Sequence, residues 1–174
     1  MTVDTTTVAA NAAAGPGGLD FEALYRAARD DVFAYVATLL RDRGAAEDVT
    51  ALAFERAFRR RRSFDAGRGS ARAWLFGIAR NAALDELRRR SRSAPLTTEP
   101  VAAGEDELDS ALRRAAVRAA LARLEPRERE LVALKFHAGL DNGEIAAVLG
   151  VSVSNAGTQL HRAMTKLREA VEHA

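Results

Sequence analysis

From Phe21 onward the apolar residues recur at intervals of three and four, through Leu24, Tyr25, Ala28, Val32, Tyr35, Val36, Leu39 and Leu40. That is the period of an α-helix with one buried stripe, and Asp20 supplies its N-cap. Gly44 interrupts the pattern. A second helix then carries Glu47 and Asp48 in its first turn and Val49, Leu52, Ala53, Ala57 and Phe58 on one face, and ends in the basic run 59–62. Residues 63–69, with two glycines, predict a short loop. Ser70 then caps a third helix through Trp74, Leu75, Ile78, Ala82 and Leu87, which runs into Arg88, Arg89, Arg90 and Arg92.

Residues 93–110 break this rhythm. Two prolines, two adjacent threonines and an acidic cluster, with no periodic apolar stripe, predict a linker. Extended at about 3.3 Å per residue it reaches roughly 60 Å, the length of about 17 base pairs of duplex. A helix is expected around residues 111–124, and Pro126 opens another with Leu131, Leu134, Lys135 and Ala138 as its stripe, ended by Gly139. Residues 144–152 have the outline of a helix-turn-helix: a short apolar-faced helix, Gly150 where the chain turns, and Ser152 capping a second helix. In that second helix Leu160, Met164 and Leu167 share the inward face, which turns Asn155, Thr158, Gln159 and Arg162 outward. Residues 1–18, with almost no large apolar group, are expected to be a disordered tail. The predicted fold class is all-α: two small helical domains, residues 19–92 and 111–174, joined by an acidic flexible linker, the second a helix-turn-helix.

Composition narrows the chemistry. The 174 residues include no cysteine, which excludes disulfides, thiolate nucleophiles and Cys-ligated metals. His137, His161 and His173 match no local metal-ligand spacing, so neither a metal nor a cofactor is expected. No run approaches the roughly 18 apolar residues of a membrane helix, and residues 1–18 lack the order of a secretory leader. A soluble cytoplasmic protein with no membrane insertion is the expectation. The net charge of +2 conceals a segregation: residues 55–92 hold 12 basic and 4 acidic groups, whereas 93–112 hold five acidic groups and no basic one. A block at +8 suits a polyanion, since each cation placed on a phosphate releases counterions. The other reading is a solvated face whose last cations complement a helix C-terminus.

Two stretches together resemble the small extracytoplasmic-function type of bacterial RNA polymerase sigma factor, in the sigma-70 family. The first is residues 46–54, with Ala46-Glu47-Asp48-Val49-Thr50, then residues 64–70 and 73–81 up to Asp85 and the arginine run. The second is Leu124-Glu125-Pro126-Arg127-Glu128-Arg129, the helix-turn-helix, and residues 160–163 with Leu167 and Arg168. The resemblance covers about four-fifths of the chain, in the family's order and with its linker between the two stretches.

The resemblance implies a bacterial transcription initiation factor, not an enzyme, that binds RNA polymerase core at its clamp and flap and recognises the −10 and −35 elements of promoter DNA. It places Glu47, Asp48, Thr50, Ala51, Phe54 and Arg56 on the polymerase. It assigns Ser63, Phe64, Asp65, Arg68, Arg72, Trp74, Arg80, Asn81, Arg88 and Arg89 to the −10 strand, in keeping with the use of cations and aromatic platforms for single strands. Trp74 equally reads as a core anchor, and Asp65 and Asp85 as caps or ion-pair partners. The second helix of the helix-turn-helix would enter the major groove of the −35 element with Ser152, Ser154, Asn155, Thr158, Gln159, Arg162 and Lys166. Here the chain departs from the family's commonest pattern, which has basic residues at the positions of Gly157 and Gln159 and a larger apolar one at Ala156. Asn and Gln still pair bidentately with adenine. The acidic linker would thread toward the RNA exit path, or stay a solvated spacer, and the implied control is an anti-sigma factor clamping both domains.

Two other classes compete. A free-standing helix-turn-helix regulator leaves the loop at 63–69 unexplained. An enzyme built on Glu47 with Asp48, or Asp85 with Glu86, fails because neighbours on a helix point about 100° apart, and no Gly-rich phosphate loop is present.

Overall fold

The structure, a computed structural model, describes residues 18–93 and 108–173. Of the expected tail, 1–18, all but Gly18, and of the expected linker, 93–110, residues 94–107 lie outside the described residues. The described residues form seven α-helices and no strand: α1 (Phe21–Leu40), α2 (Arg43–Arg60), α3 (Ala71–Arg92), α4 (Leu108–Ala122), α5 (Pro126–Phe136), α6 (Asn142–Leu149) and α7 (Val153–Glu172). Two short 3-10 turns, Arg61–Ser63 and Ala66–Arg68, bridge α2 to α3.

Local chemistry accounts for most of the boundaries. Asp20 accepts from the Ala23 N–H at 3.0 Å, Ser70 from the Ala73 N–H at 3.1 Å, and Ser152 from the Asn155 N–H at 3.2 Å. Each cap satisfies an amide that has no partner within the helix. One boundary is corrected. The chain breaks at Arg41 and Asp42 and not at Gly44: Arg41 turns left-handed (φ 52°), and Asp42 caps α2 by accepting from the Ala45 N–H at 3.0 Å. Gly44 therefore lies inside the first turn of α2, and Glu47 and Asp48 fall in its second. An Asp N-cap is the stronger signal, and Arg41 adopts the conformation a glycine usually supplies at a helix end. The helix expected from residue 111 begins at Leu108.

Helices α1, α2 and α3 close on a core of Leu24, Val32, Val36, Ala53, Leu75 and Phe76. Two members of the expected stripes are not part of it. Phe58 is 48% exposed and Tyr25 40%. They flank an aromatic cluster where the start of α1 meets the end of α2, with Phe21 and Phe58 centroids 5.2 Å apart and Tyr25 and Phe54 4.9 Å apart.

The C-terminal helices do not form a separate body. α5 lies against α1 and α6 against α3, so that Leu131, Leu134, Leu140, Ile145 and Leu149 share one continuous core with Tyr35 and Phe76. Leu124, Val132 and Ala163 make a second, smaller core with α4 and α7.

Candidate nucleic-acid interface

Three surfaces carry the residues singled out in the sequence. On α2, Glu47, Asp48 and Ala51 are exposed along one face and Thr50 is half-buried beside them. Phe54 points the other way: it is 7% exposed, against Phe21 and Tyr25, so it supports this face from beneath. Arg56 is tied to α3 through Asp85 at 3.1 Å. The apolar group that this end of the domain does present is Phe58, with the Arg61 guanidinium 3.9 Å above its ring. Periodicity alone hid it, because its position repeats with the buried Val49 stripe.

The second surface is the loop before α3 and the outer side of α3. Ser63 bonds the Arg60 carbonyl at 2.7 Å, and Asp65 accepts from the Gly67 N–H at 2.9 Å. Both side chains thus shape the loop, and Arg68 stands free of it, exposed. Phe64 meets Trp74 edge to face, centroids 5.5 Å apart, and both rings are half-buried. The indole therefore packs under the loop and leaves part of its surface to solvent. Asn81 is exposed. Arg88 pairs with Asp85 at 3.3 Å, and Arg89 clasps Glu86 with two bonds of 2.7 and 2.8 Å. The Arg89 and Arg90 guanidiniums hold the Glu86 carboxyl down at about 2. Arg72 and Arg80 are engaged elsewhere. Arg72 reaches Asp31 at 2.5 Å and the carbonyls of His137 and Ala138 at the end of α5. Burial pushes the His137 imidazole below its ordinary value. Arg80 reaches Glu130 at 2.6 Å.

The third surface is the helix-turn-helix. Asp141 and Glu144 cap α6 reciprocally, by bonds of 2.8 and 3.0 Å. Gly150 (φ 67°) turns the chain where any side chain would be strained, and Ser152 starts α7. Ala156, Leu160 and Ala163 are buried, and Ser154, Asn155, Thr158 and Arg162 face solvent. Gln159 is half-buried, its amide donating to Asn155 Oδ1 at 2.7 Å, which presets both amides as a unit. Lys166 pairs with Glu128, whose carboxyl it holds below the usual range. Val153 is 56% exposed at the start of α7, an apolar contact suited to a thymine methyl. Its place beside the cap is the signal that points to it. No group of three or more His, Asp or Glu among the described residues is arranged to hold a metal. No described helix is long and apolar enough to cross a membrane.

Comparison with known proteins assigns both halves. The family model for sigma-70 region 2 matches residues 24–93 and that for sigma-70 region 4 matches residues 114–167. The chain is 32% identical to the ECF RNA polymerase sigma factor SigL of Mycobacterium tuberculosis over 155 residues, covering 84% of this chain and 88% of SigL. It is 34% identical to the RNA polymerase sigma factor CarQ of Myxococcus xanthus over 154 residues, 86% of this chain and 87% of CarQ. Among solved structures, the sigma factor RpoE of Bartonella quintana, in complex with the anti-sigma factor NepR, matches at a TM-score of 0.77 and 25% identity, over 88% of this chain and 97% of RpoE. CnrH, in complex with the cytosolic domain of CnrY, matches at 0.65 and 26%, over 88% of each chain. With region 2 on α1–α3 and region 4 on α4–α7, the chain belongs to the sigma-70 family of RNA polymerase sigma factors, as an extracytoplasmic-function member and thus a transcription initiation factor.

Proposed function

We propose the following division of labour. The N-terminal domain, residues 19–92, docks on the polymerase clamp through the exposed face of α2, Glu47, Asp48, Thr50 and Ala51, with Phe54 bracing it from below and Arg56 at its edge. The loop at 63–69, with Phe64, Asp65 and Arg68, and α3, with Trp74, Asn81, Arg88 and Arg89 on its outer side and Arg72 and Arg80 on the side that meets α5, take up the −10 strand. The C-terminal domain, residues 111–174, reads the −35 element through the start of α7, where Asn155 and Gln159 are the adenine readers, Val153 the thymine contact, and Arg162 and Lys166 the phosphate contacts. The chain acts by binding in the cytoplasm: strand capture supplies the melting energy, and no covalent bond is made or broken.

The observation that carries this reading is the turn at Gly150 and Ser152, which leaves Val153, Ser154, Asn155 and Thr158 exposed side by side. An anti-sigma factor is the fitting partner, since both solved neighbours named above are held in complexes and RpoE's partner is an anti-sigma factor. Leu112, Val117 and Phe136, exposed on α4 and α5, give such a partner an apolar surface to cover. The test is co-elution with bacterial polymerase core followed by promoter selection from a DNA library. Co-elution and a selected −10/−35 pair are expected. Operator binding by the chain alone, without core, would move it to the free-standing regulators.

A further inference from the structure

On the outer face of α7 two amides are joined. Gln159 Nε2 donates to Asn155 Oδ1 at 2.7 Å, across one turn of the helix. The Asn155 backbone N–H goes to Ser152 Oγ at 3.2 Å, so the cap of α7 does not use the Asn155 side chain. That side chain is exposed, and Gln159 beside it is half-buried. The longer of the two side chains is therefore already restrained in the free chain, which lowers the ordering cost of meeting a base.

The bond also decides which groups remain. A carboxamide has one acceptor oxygen and two hydrogens on its nitrogen. Donation to Asn155 engages one hydrogen, and Gln159 is left with Oε1 and one N–H. One acceptor and one donor complement adenine, whose major-groove edge offers the N6 amino group and N7. Guanine offers O6 and N7, both acceptors, and a carboxamide could satisfy both only with the hydrogen that Asn155 holds. Turning the Gln159 amide over would set Oε1 against Asn155 Oδ1, oxygen on oxygen, unless Asn155 turned over as well. Asn155, its oxygen engaged, offers N–H donors, and a donor alone meets N7 of either purine. It has no means of its own to tell adenine from guanine.

We propose that Asn155 is a positioning residue that sets base preference through Gln159. It holds the Gln159 amide in the orientation that takes adenine and rejects guanine, so that the pair reads one adenine of the −35 element and not two. The inference rests on the reading that the start of α7 enters the −35 groove, and it gives the two amides of that site different tasks.

The experiment uses the full chain assembled with bacterial polymerase core and a promoter library randomised across the −35 region. The parent is expected to enrich adenine over guanine at one position that Q159R moves to guanine, since arginine pairs bidentately with O6 and N7. N155A removes the acceptor, and at that position alone it should lower the adenine-to-guanine ratio about fivefold, the worth of one hydrogen bond. N155D keeps an oxygen for Gln159 and should retain the ratio, with weaker binding overall from its charge. An unchanged ratio in N155A overturns the proposal. So does loss of preference at a second position, which would make Asn155 a reader in its own right, and so does a parent that prefers guanine, as the pair would with both amides turned over. If circular dichroism shows N155A to be unfolded, N155D decides, and loss of the ratio in it is the refuting result. Co-elution with core is read on the same preparations. A parent that co-elutes but enriches nothing at −35 removes the reading of α7 itself, whereas enrichment with equal ratios in parent and N155A removes only the role of Asn155.

Discussion

A methyl group added at Gly157 would meet only Asn142 Nδ2, at 3.5 Å, an ordinary van der Waals separation. The glycine therefore costs α7 helix propensity without serving a close approach. G157A is expected to stabilise the chain by about 1 kcal/mol, raising Tm by about 2–4 °C in a thermal melt. A lower Tm would show that Asn142 needs the space. Glu86 supports a second prediction at this scale. Its bonds from Arg89 and Arg90 lower its folded value from the ordinary 4.5 to about 2. A depressed carboxyl stabilises the folded state fully above its unfolded value, and that contribution is lost as pH falls from 4.5 toward 2. In urea titrations, E86Q should be less stable than the parent at neutral pH, and the gap should close across that window. A gap independent of pH would mean that the carboxyl is not paired in solution.

At the scale of the element, the arginine run at the end of α3 separates into different roles. Arg88 is exposed and pairs only loosely, with Asp85 at 3.3 Å. Arg90 is 14% exposed and bonds Glu86 at 2.9 Å, Asp42 at 3.0 Å and the Leu40 carbonyl at 3.4 Å, which ties α3 to the corner between α1 and α2. R90A should cost about 1–2 kcal/mol, because Asp42 loses its cation and Glu86 keeps only Arg89. R88A should stay within about 0.5 kcal/mol of the parent while weakening single-strand binding, read by anisotropy on a fluorescein-labelled oligonucleotide. Equal destabilisation by the two would return the whole run to a structural role. Adjacent arginines look alike in a sequence, since the partner that distinguishes Arg90 is 48 residues away. The helices themselves were readable because their caps are local: Asp20, Ser70 and Ser152 each act three residues ahead. The end of α1 was not, because Arg41 takes a left-handed turn with no glycine to announce it, and Gly44 offered a false stop. Phe58 failed for a related reason: the period shows which residues share a face, and only the end of the bundle shows where that face runs out of neighbours.

At the scale of the molecule, two domains on a linker were legible, and their closure was not. The residues that close it, Tyr35, Arg80 and Glu130, lie 45 to 95 positions apart and belong to no local pattern. Tyr35 carries the one trace of it. A tyrosine at the centre of an apolar stripe needs a partner for its hydroxyl, and no side chain of α1, α2 or α3 provides that partner; Glu130 of α5 does, at 3.1 Å. Burial, with the Glu130 charge beside it, pushes the phenol well above its ordinary value, so it is a donor at neutral pH. Y35F removes this bond while keeping the ring, which packs on Phe76 with centroids 5.4 Å apart. The N-terminal core should therefore persist, while the closed state loses about 1–2 kcal/mol, the worth of a hydrogen bond to a buried charge. That is a factor of roughly 5–30 in the open population. Amide exchange in α5, residues 126–136, should quicken by that factor in Y35F, with exchange in α2 unchanged. If α2 quickens equally, the hydroxyl stabilises the N-terminal domain itself, and the closure depends on its apolar contacts and on Arg72 and Arg80 alone.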